Sequence, residues 1–383
     1  MITSEGIVDS HAPQWAYLVT AIAAILISIL GFFGNLLTIL ALPHARRLRH
    51  SATWLVVNLA VAEGAFCVTI LPISAAHLLY MYHTDNPLFD DTGCSVFVFL
   101  RYVNIQAELL SIAAIAINRC VLIANSKLYP RVFSGPKTAG IIAGIWIFSI
   151  AIMLIPLFKV YGQFTYNDNT EECDFDDDTH LGKAPRKVFL ILGFMFPCIF
   201  IIASYSYIYY KARQSAEKVL ARQRSCSSAV SVKSKGQRPA EGLRSRDIRI
   251  ARTIGVIYVV FLVCCTPVSV AHYLESKMNP AVLLLLHPLY WAQYCINIFV
   301  YVFMNKQYRD AYINFISQWW PNFKEVSQRK FHWKEEATSG DSRRQSRAAT
   351  PNLSVRFKVL KSSNEAQGDQ EFHSAPQVSD TCL

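Results

Sequence analysis

Four charged side chains stand inside long apolar stretches: Glu63, Arg101, Glu108 and Arg119. A charge in such a place needs a partner or a function. Glu63 and Glu108 are acids of the kind that bind a proton or a cation, or that persist as neutral, hydrogen-bonded carboxyls. Arg101 and Glu108 share one helix face but lie about 10 Å apart along the axis, too far for direct contact. The Arg101 guanidinium can grip a carboxylate or phosphate through two parallel bonds. That anion could be a ligand, or the nearby acidic run "EECDFDDD". Arg119 sits where "AIAINR" turns from apolar helix to polar loop. There it either pairs with an acid or reaches for the interface. The sequence carries no nucleophile with a base, no phosphate loop and no metal-spaced His/Cys set. The chemistry on offer is binding and switching rather than catalysis, so an enzyme is not expected.

The elements that must position these groups are membrane helices. Of 383 residues, 52% are hydrophobic and only 17% charged, well below the quarter or so of a soluble domain. Seven stretches reach the roughly 20 apolar residues needed to cross a bilayer, near 15–42, 52–80, 92–123, 138–160, 186–212, 247–273 and 281–304. The expected fold is an all-α membrane protein: a seven-helix bundle over 15–304 and a short amphipathic cytoplasmic helix over 305–318. Residues 1–14 form an outer tail. The Ser/Arg/Lys-rich loop 213–246 and the tail 319–383 read as disordered.

Lys and Arg cluster in "PHARRLRH", in "SKLYPRVFSGPK", and between Lys211 and Arg252, whereas "HTDNPLFDD" and "NDNTEECDFDDDTH" are acidic. By the positive-inside rule the N-terminus is outside and the C-terminus inside, with the first span acting as a signal anchor. The net charge of +10 is unevenly spread and gives no nucleic-acid signal. Cys94 and Cys173 both fall on the oxidising side, where a disulfide between them is expected.

Ordered landmarks then accumulate. "GFFGN" carries Asn35 and "NLAVAE" carries Glu63. Trp146 stands in the fourth span, and Pro197 and Tyr205 in the fifth. "FLVCCTP" holds Phe261, Cys264 and Pro267, "NIFVY" holds Asn297 and Tyr301, and "NKQYRDAY" follows. With Cys94 and Arg119 at the matching separation, the chain resembles the rhodopsin-like G-protein-coupled receptors over about 15–317. Within them, "NRCVLIANSKLYPRVFS" is similar to the invertebrate moody and trapped-in-endoderm orphan receptors and to the vertebrate medium-chain fatty acid receptor.

The resemblance implies roles. Arg119 would be the coupling residue, held at rest by an acid and released to a heterotrimeric G protein. Its neighbour is the neutral Asn118, so Asp247 on the sixth helix is the remaining lock partner. Tyr205, Asn297 and Tyr301 complete the switch. Glu63 and Glu108 would meet beside Asn35 and Asn297 and share a proton or a sodium ion; no other cofactor or metal is expected. Arg101, where amine receptors carry Asp, favours a small anionic or lipid ligand lodged with Asn104, Ile105, His272 and Trp291. Plasma-membrane placement and arrestin and kinase partners follow by analogy.

Three departures weaken the analogy: Asn118, Cys265 at the toggle tryptophan, and Ile298 at the proline of the seventh-helix motif. They leave open an adhesion or scaffold protein with weak G-protein coupling. The terminus "DTCL" suits a PDZ sheet edge through Thr381 and Leu383.

Overall fold

The computed structural model describes residues 12–45, 48, 50–167, 171–176, 188–189, 191–226, 238–273 and 279–324; over most of 215–251, and at 272–273, it describes only the backbone. In hydrocarbon every backbone polar group must be satisfied within the segment, which selects helices. Seven helical spans are long and apolar enough to cross a membrane. They are built from α1 (Gln14–His44), α2 (Ser51–Val68) with α3 (Ile70–Thr84), α4 (Asp91–Ala124), α6 (Gly135–Leu157), a π turn (Ile191–Met195) leading into α7 (Phe196–Cys226), α8 (Arg238–Tyr273) and α9 (Pro280–Met304). The four-residue α5 (Tyr129–Val132) lies between α4 and α6, and α10 (Lys306–Ile316) follows α9.

Helix ends follow local chemistry. Asp90 accepts from the Gly93 amide at 2.8 Å and caps α4. Asn279 caps α9 by accepting from the Ala281 amide, with Pro280 in the first turn, the position where its missing N–H costs nothing. Asn305 ends α9 and caps α10, accepting from the amides of Gln307 and Tyr308.

Prolines explain two irregularities. The second span, expected as one helix, breaks at Thr69. Pro72 cannot donate to the carbonyl four residues back, and its ring crowds that carbonyl. Beside the break, Ser28 of α1 donates to the Cys67 carbonyl at 2.7 Å. In α9, Ile298 does replace a proline, but Pro288 lies inside the helix nearer its start. The Leu284 carbonyl, which Pro288 cannot serve, accepts from Thr20 of α1 at 3.4 Å.

One expectation needs correction. Helical backbone occupies 213–226 and 238–246, where composition indicates disorder. The run "KARQSAEKVLARQR" is rich in Ala, Lys, Glu, Arg and Leu, strong helix formers, and it extends a helix already nucleated in the fifth span. The all-α seven-helix architecture holds, with one short hairpin beside the helices. Strands β1 (Phe164–Asn167) and β2 (Glu172–Phe175) form an antiparallel hairpin, pairing Phe164 with Phe175 and Tyr166 with Cys173.

α4 is the axis of the bundle and packs against α2, α6, α7, α8 and the hairpin, while α1 packs against α2, α3, α9 and α10. Large side chains such as Phe33, Ile147, Ile199, Val263 and Phe303 point outward, as a lipid solvent permits. α1 approaches α2 and α9 closely at Gly31. A methyl there would meet Cys67 Sγ at 2.5 Å and the Tyr294 carbonyl oxygen at 3.1 Å. Gly31→Ala is expected to cost about 1–3 kcal/mol through overpacking, read as a lower melting temperature of the detergent-solubilised protein.

Candidate functional site

The polar side chains buried in the bundle form three levels. At the first level the hairpin is stapled to α4 by the Cys94–Cys173 disulfide, as expected. Alternate residues of a strand share a face, so Glu172 and Asp174 of β2 both turn to Arg101. Its Nη2 donates to the Cys173 carbonyl at 2.8 Å and lies 3.4 Å from Asp174 Oδ1, and its Nη1 is 3.9 Å from Glu172 Oε2. The guanidinium also faces the rings of Phe97 and Tyr102. Of the two partners the sequence left open for Arg101, the acidic run is the one it holds. Tyr102 donates to Asp174 at 2.7 Å. On the far side, His287 of α9 places Nε2 3.0 Å from Glu172 Oε1 and Nδ1 3.0 Å from the Leu283 carbonyl. Glu171 accepts from the Tyr17 hydroxyl, and its carbonyl lies 3.3 Å from His77 Nε2.

Asn104 turns Nδ2 back to the Leu100 carbonyl at 2.9 Å, leaving its buried Oδ1 without a partner among the described residues. Ile105 and Trp291 belong to one apolar cluster. The side chain of His272 lies outside the described residues. His287 and Tyr102 were not singled out by the sequence, and Glu172 and Asp174 only as members of the acidic run. A histidine before a proline, one turn from Trp291, was the available signal for His287. The others become legible only once the disulfide places the hairpin.

At the middle level the two acids do meet. Glu63 accepts from Asn297 Nδ2 and from Asn35, and Glu108 lies close enough to act on it. Asn35 also donates to the Tyr294 carbonyl at 3.0 Å. The Tyr294 hydroxyl serves Glu108 and stands 3.1 Å from that of Tyr290, while its ring stacks on Phe66 at 3.9 Å. Glu108 Oε2 is buried with no hydrogen-bond partner among the described residues. Nearby, Trp146 donates to Asn58, which donates to Ser111. Cys265, at the toggle position, contacts Gln293 Oε1 at 3.5 Å.

At the level farthest from the hairpin Arg119 is 2% exposed and heads the large fully buried side chains among the described residues. It does not reach for the interface. Its Nε and Nη2, the Tyr205 hydroxyl and Asn118 Oδ1 are buried without hydrogen-bond partners among the described residues, while the Tyr308 hydroxyl lies within reach of Thr53 and of the Arg119 guanidinium. The Arg119 charge acts on both tyrosines. Burial pushes the Tyr308 phenol above its ordinary range and Arg119 pulls it back. The Tyr308 ring meets that of Tyr301 edge-on at 5.4 Å, and Tyr312 bonds Thr38 at 3.2 Å. Asn118 reaches the Tyr129 hydroxyl at 3.4 Å, so its amide links α4 to α5. Asp247 belongs to α8 by its backbone, but its side chain, like Thr381 and Leu383, lies outside the described residues. Tyr308 was missed because the sequence offered it only as part of an amphipathic motif.

The arrangement is thus a stack of buried, partly unsatisfied polar groups joining four or more helices, suited to two-state repacking rather than to bond making. Comparison with known proteins agrees. Residues 34–304 match the model of the "7 transmembrane receptor (rhodopsin family)". The chain is 28% identical to the G-protein coupled receptor moody of Drosophila melanogaster over 76% of its own length and 50% of moody's. It thus spans about half the length of that relative. It is 27% identical to the protein trapped in endoderm-1 of the same fly, covering 79% of each. The crystal structure of squid rhodopsin superposes with a TM-score of 0.69 at 22% identity, over 81% of this chain and 87% of that one, a likeness of fold. By its seven apolar helices and the match over 34–304, the chain belongs to the rhodopsin family of seven-transmembrane receptors.

Proposed function

We propose that the chain is a plasma-membrane receptor, N-terminus outside, that converts an outer ligand into activation of a heterotrimeric G protein. The observation that carries this reading is Arg119, fully buried at the inner level between Tyr205 and Tyr308, with two guanidinium nitrogens lacking hydrogen-bond partners among the described residues. A buried cation with spare donors is primed to accept a new partner when the helices move. A ligand drives that movement only by binding the active arrangement better than the resting one. Asp247, in the turns of α8 before its apolar stretch Arg252–Ala271, restrains Arg119 at rest. With Asn118 neutral, one acid serves where two are usual, and basal activity is raised.

The ligand reading is narrower than the sequence alone suggests. Arg101 favours a small anion or a lipid with an acidic head, and such a ligand must displace Glu172 or Asp174. Sodium suits the middle level. Glu63 and Glu108 would hold it, and the unpartnered Glu108 Oε2 is an oxygen such an ion would use. Arrestin, kinases and a PDZ protein at Thr381 and Leu383 are further partners of the cytoplasmic face.

The test is ligand-free guanine-nucleotide exchange in membranes carrying the chain with each Gα class. Asp247→Ala removes the proposed restraint on Arg119 and should raise basal exchange up to roughly fivefold, the shift that about 1 kcal/mol produces. Silence of both chains with every Gα class, at verified surface expression, would overturn constitutive coupling.

A further inference from the structure

His287 is a buried titratable group that the receptor reading does not use. Its two ring nitrogens both face acceptors: Nδ1 the Leu283 carbonyl at 3.0 Å, Nε2 the Glu172 carboxylate at 3.0 Å. Neutral imidazole has one N–H and can satisfy only one of them; the imidazolium satisfies both. Glu172 in turn lies 3.9 Å from Arg101. One hairpin carboxylate therefore bridges a cation on α4 and an imidazole on α9, two helices that the ligand level must couple. We propose that His287 is an outer proton-binding site, and that a proton there latches the β1–β2 hairpin to α9, making outer pH an input to this receptor.

The surroundings determine the sign. Among the described residues, the charged groups acting on His287 are Glu172 from β2 and Arg101 from α4. Arg101 is itself neutralised by Asp174 at 3.4 Å. Tyr17 of α1 and His77 of α3 are engaged by Glu171. The last described side chains of α8, Val268 to Ala271, carry no charge. On its own helix His287 meets the Trp291 ring at 5.5 Å. The ion pair with Glu172 exists while the imidazolium exists. It is lost as pH rises through the histidine's titration. Above that titration the hairpin keeps its disulfide and its Arg101 contacts but loses its tie to α9.

The test is hydrogen–deuterium exchange over residues 164–175 of the full chain in lipid nanodiscs, at pH 5.5 and 8.5, corrected for the intrinsic pH dependence of exchange. In the native chain, protection should fall about tenfold at the higher pH. His287→Gln, which cannot titrate, should show one level of protection at both pH values. His287→Arg, which stays charged, should hold the protected level throughout, and Glu172→Gln should abolish the pH response. Melting temperature and surface expression identify any variant that fails to fold, and the two His287 variants back each other. No pH response in the native chain, or an equal response in His287→Gln, would overturn the proposal. The latch rests on the receptor reading only for its consequence. Exchange is measured without a G protein, so the two ideas fail separately.

Discussion

Arg119→Met should reduce G-protein activation to background, at least tenfold below the native chain in ligand-free exchange, without unfolding the protein. The two halves of this expectation have different causes. Activation is lost because methionine offers no donor to an incoming partner. Stability is kept because the replaced cation is 2% exposed and two of its guanidinium nitrogens have no partner among the described residues. Burying unpaired donors and a charge is costly, and methionine fills a similar volume without that cost. Asp247 precedes the apolar part of α8, so water can hydrate it once Arg119 is gone. The melting temperature should stay level or rise by a few degrees. Arg119→Lys keeps the charge but not the planar fork and should recover only part of the signal. Tyr308→Phe tests the inner level from the other side. Removing the hydroxyl that faces Arg119 and Thr53 should lower stability by no more than about 1 kcal/mol while changing basal exchange. Full activation by Arg119→Met would end the view that this arginine carries coupling.

Arg101→Leu should do the opposite, damaging stability more than chemistry. It strands Glu172 and Asp174 and removes the donor to the Cys173 carbonyl. Breaking a buried pair by deleting one partner costs about 3–5 kcal/mol, or roughly 10 °C in melting temperature for a chain of this size. Tyr102 and His287 still serve the two carboxylates, which places the expected loss toward the lower end. The check is a rescue. Arg101→Leu combined with Glu172→Gln and Asp174→Asn removes the stranded charges and should recover most of the lost stability. If the triple variant melts as low as the single one, the arginine contributes through packing against Phe97 and Tyr102 instead.

The contrast between the two arginines shows what could be read in advance. Both were visible as intramembrane charges, and both were expected to need partners. Which partners they take depends on segments far away in sequence. Arg101 is answered by β2, more than 70 residues on, because the disulfide and the hairpin register bring that strand over α4. Tyr308 reaches Arg119 because Asn305 ends α9 and starts α10 at one residue, which turns the tyrosine inward. Glu63 and Glu108 differ from these. Their meeting followed from family spacing alone, since two long helices packed side by side keep register over many turns.

The sequence by itself determined the number of spans, the family and the disulfide. These depend on hydropathy and on spacing along single helices, and both are local. The tertiary structure decided the rest: the broken second span, the hairpin within a helical protein, the helical backbone at 213–226 and 238–246, and the partners of Arg101, Arg119 and His287. The reason is physical. A bilayer fixes where helices must be, but a buried charge is satisfied by whichever donor or acceptor the packing delivers, and that choice is made between elements rather than within them.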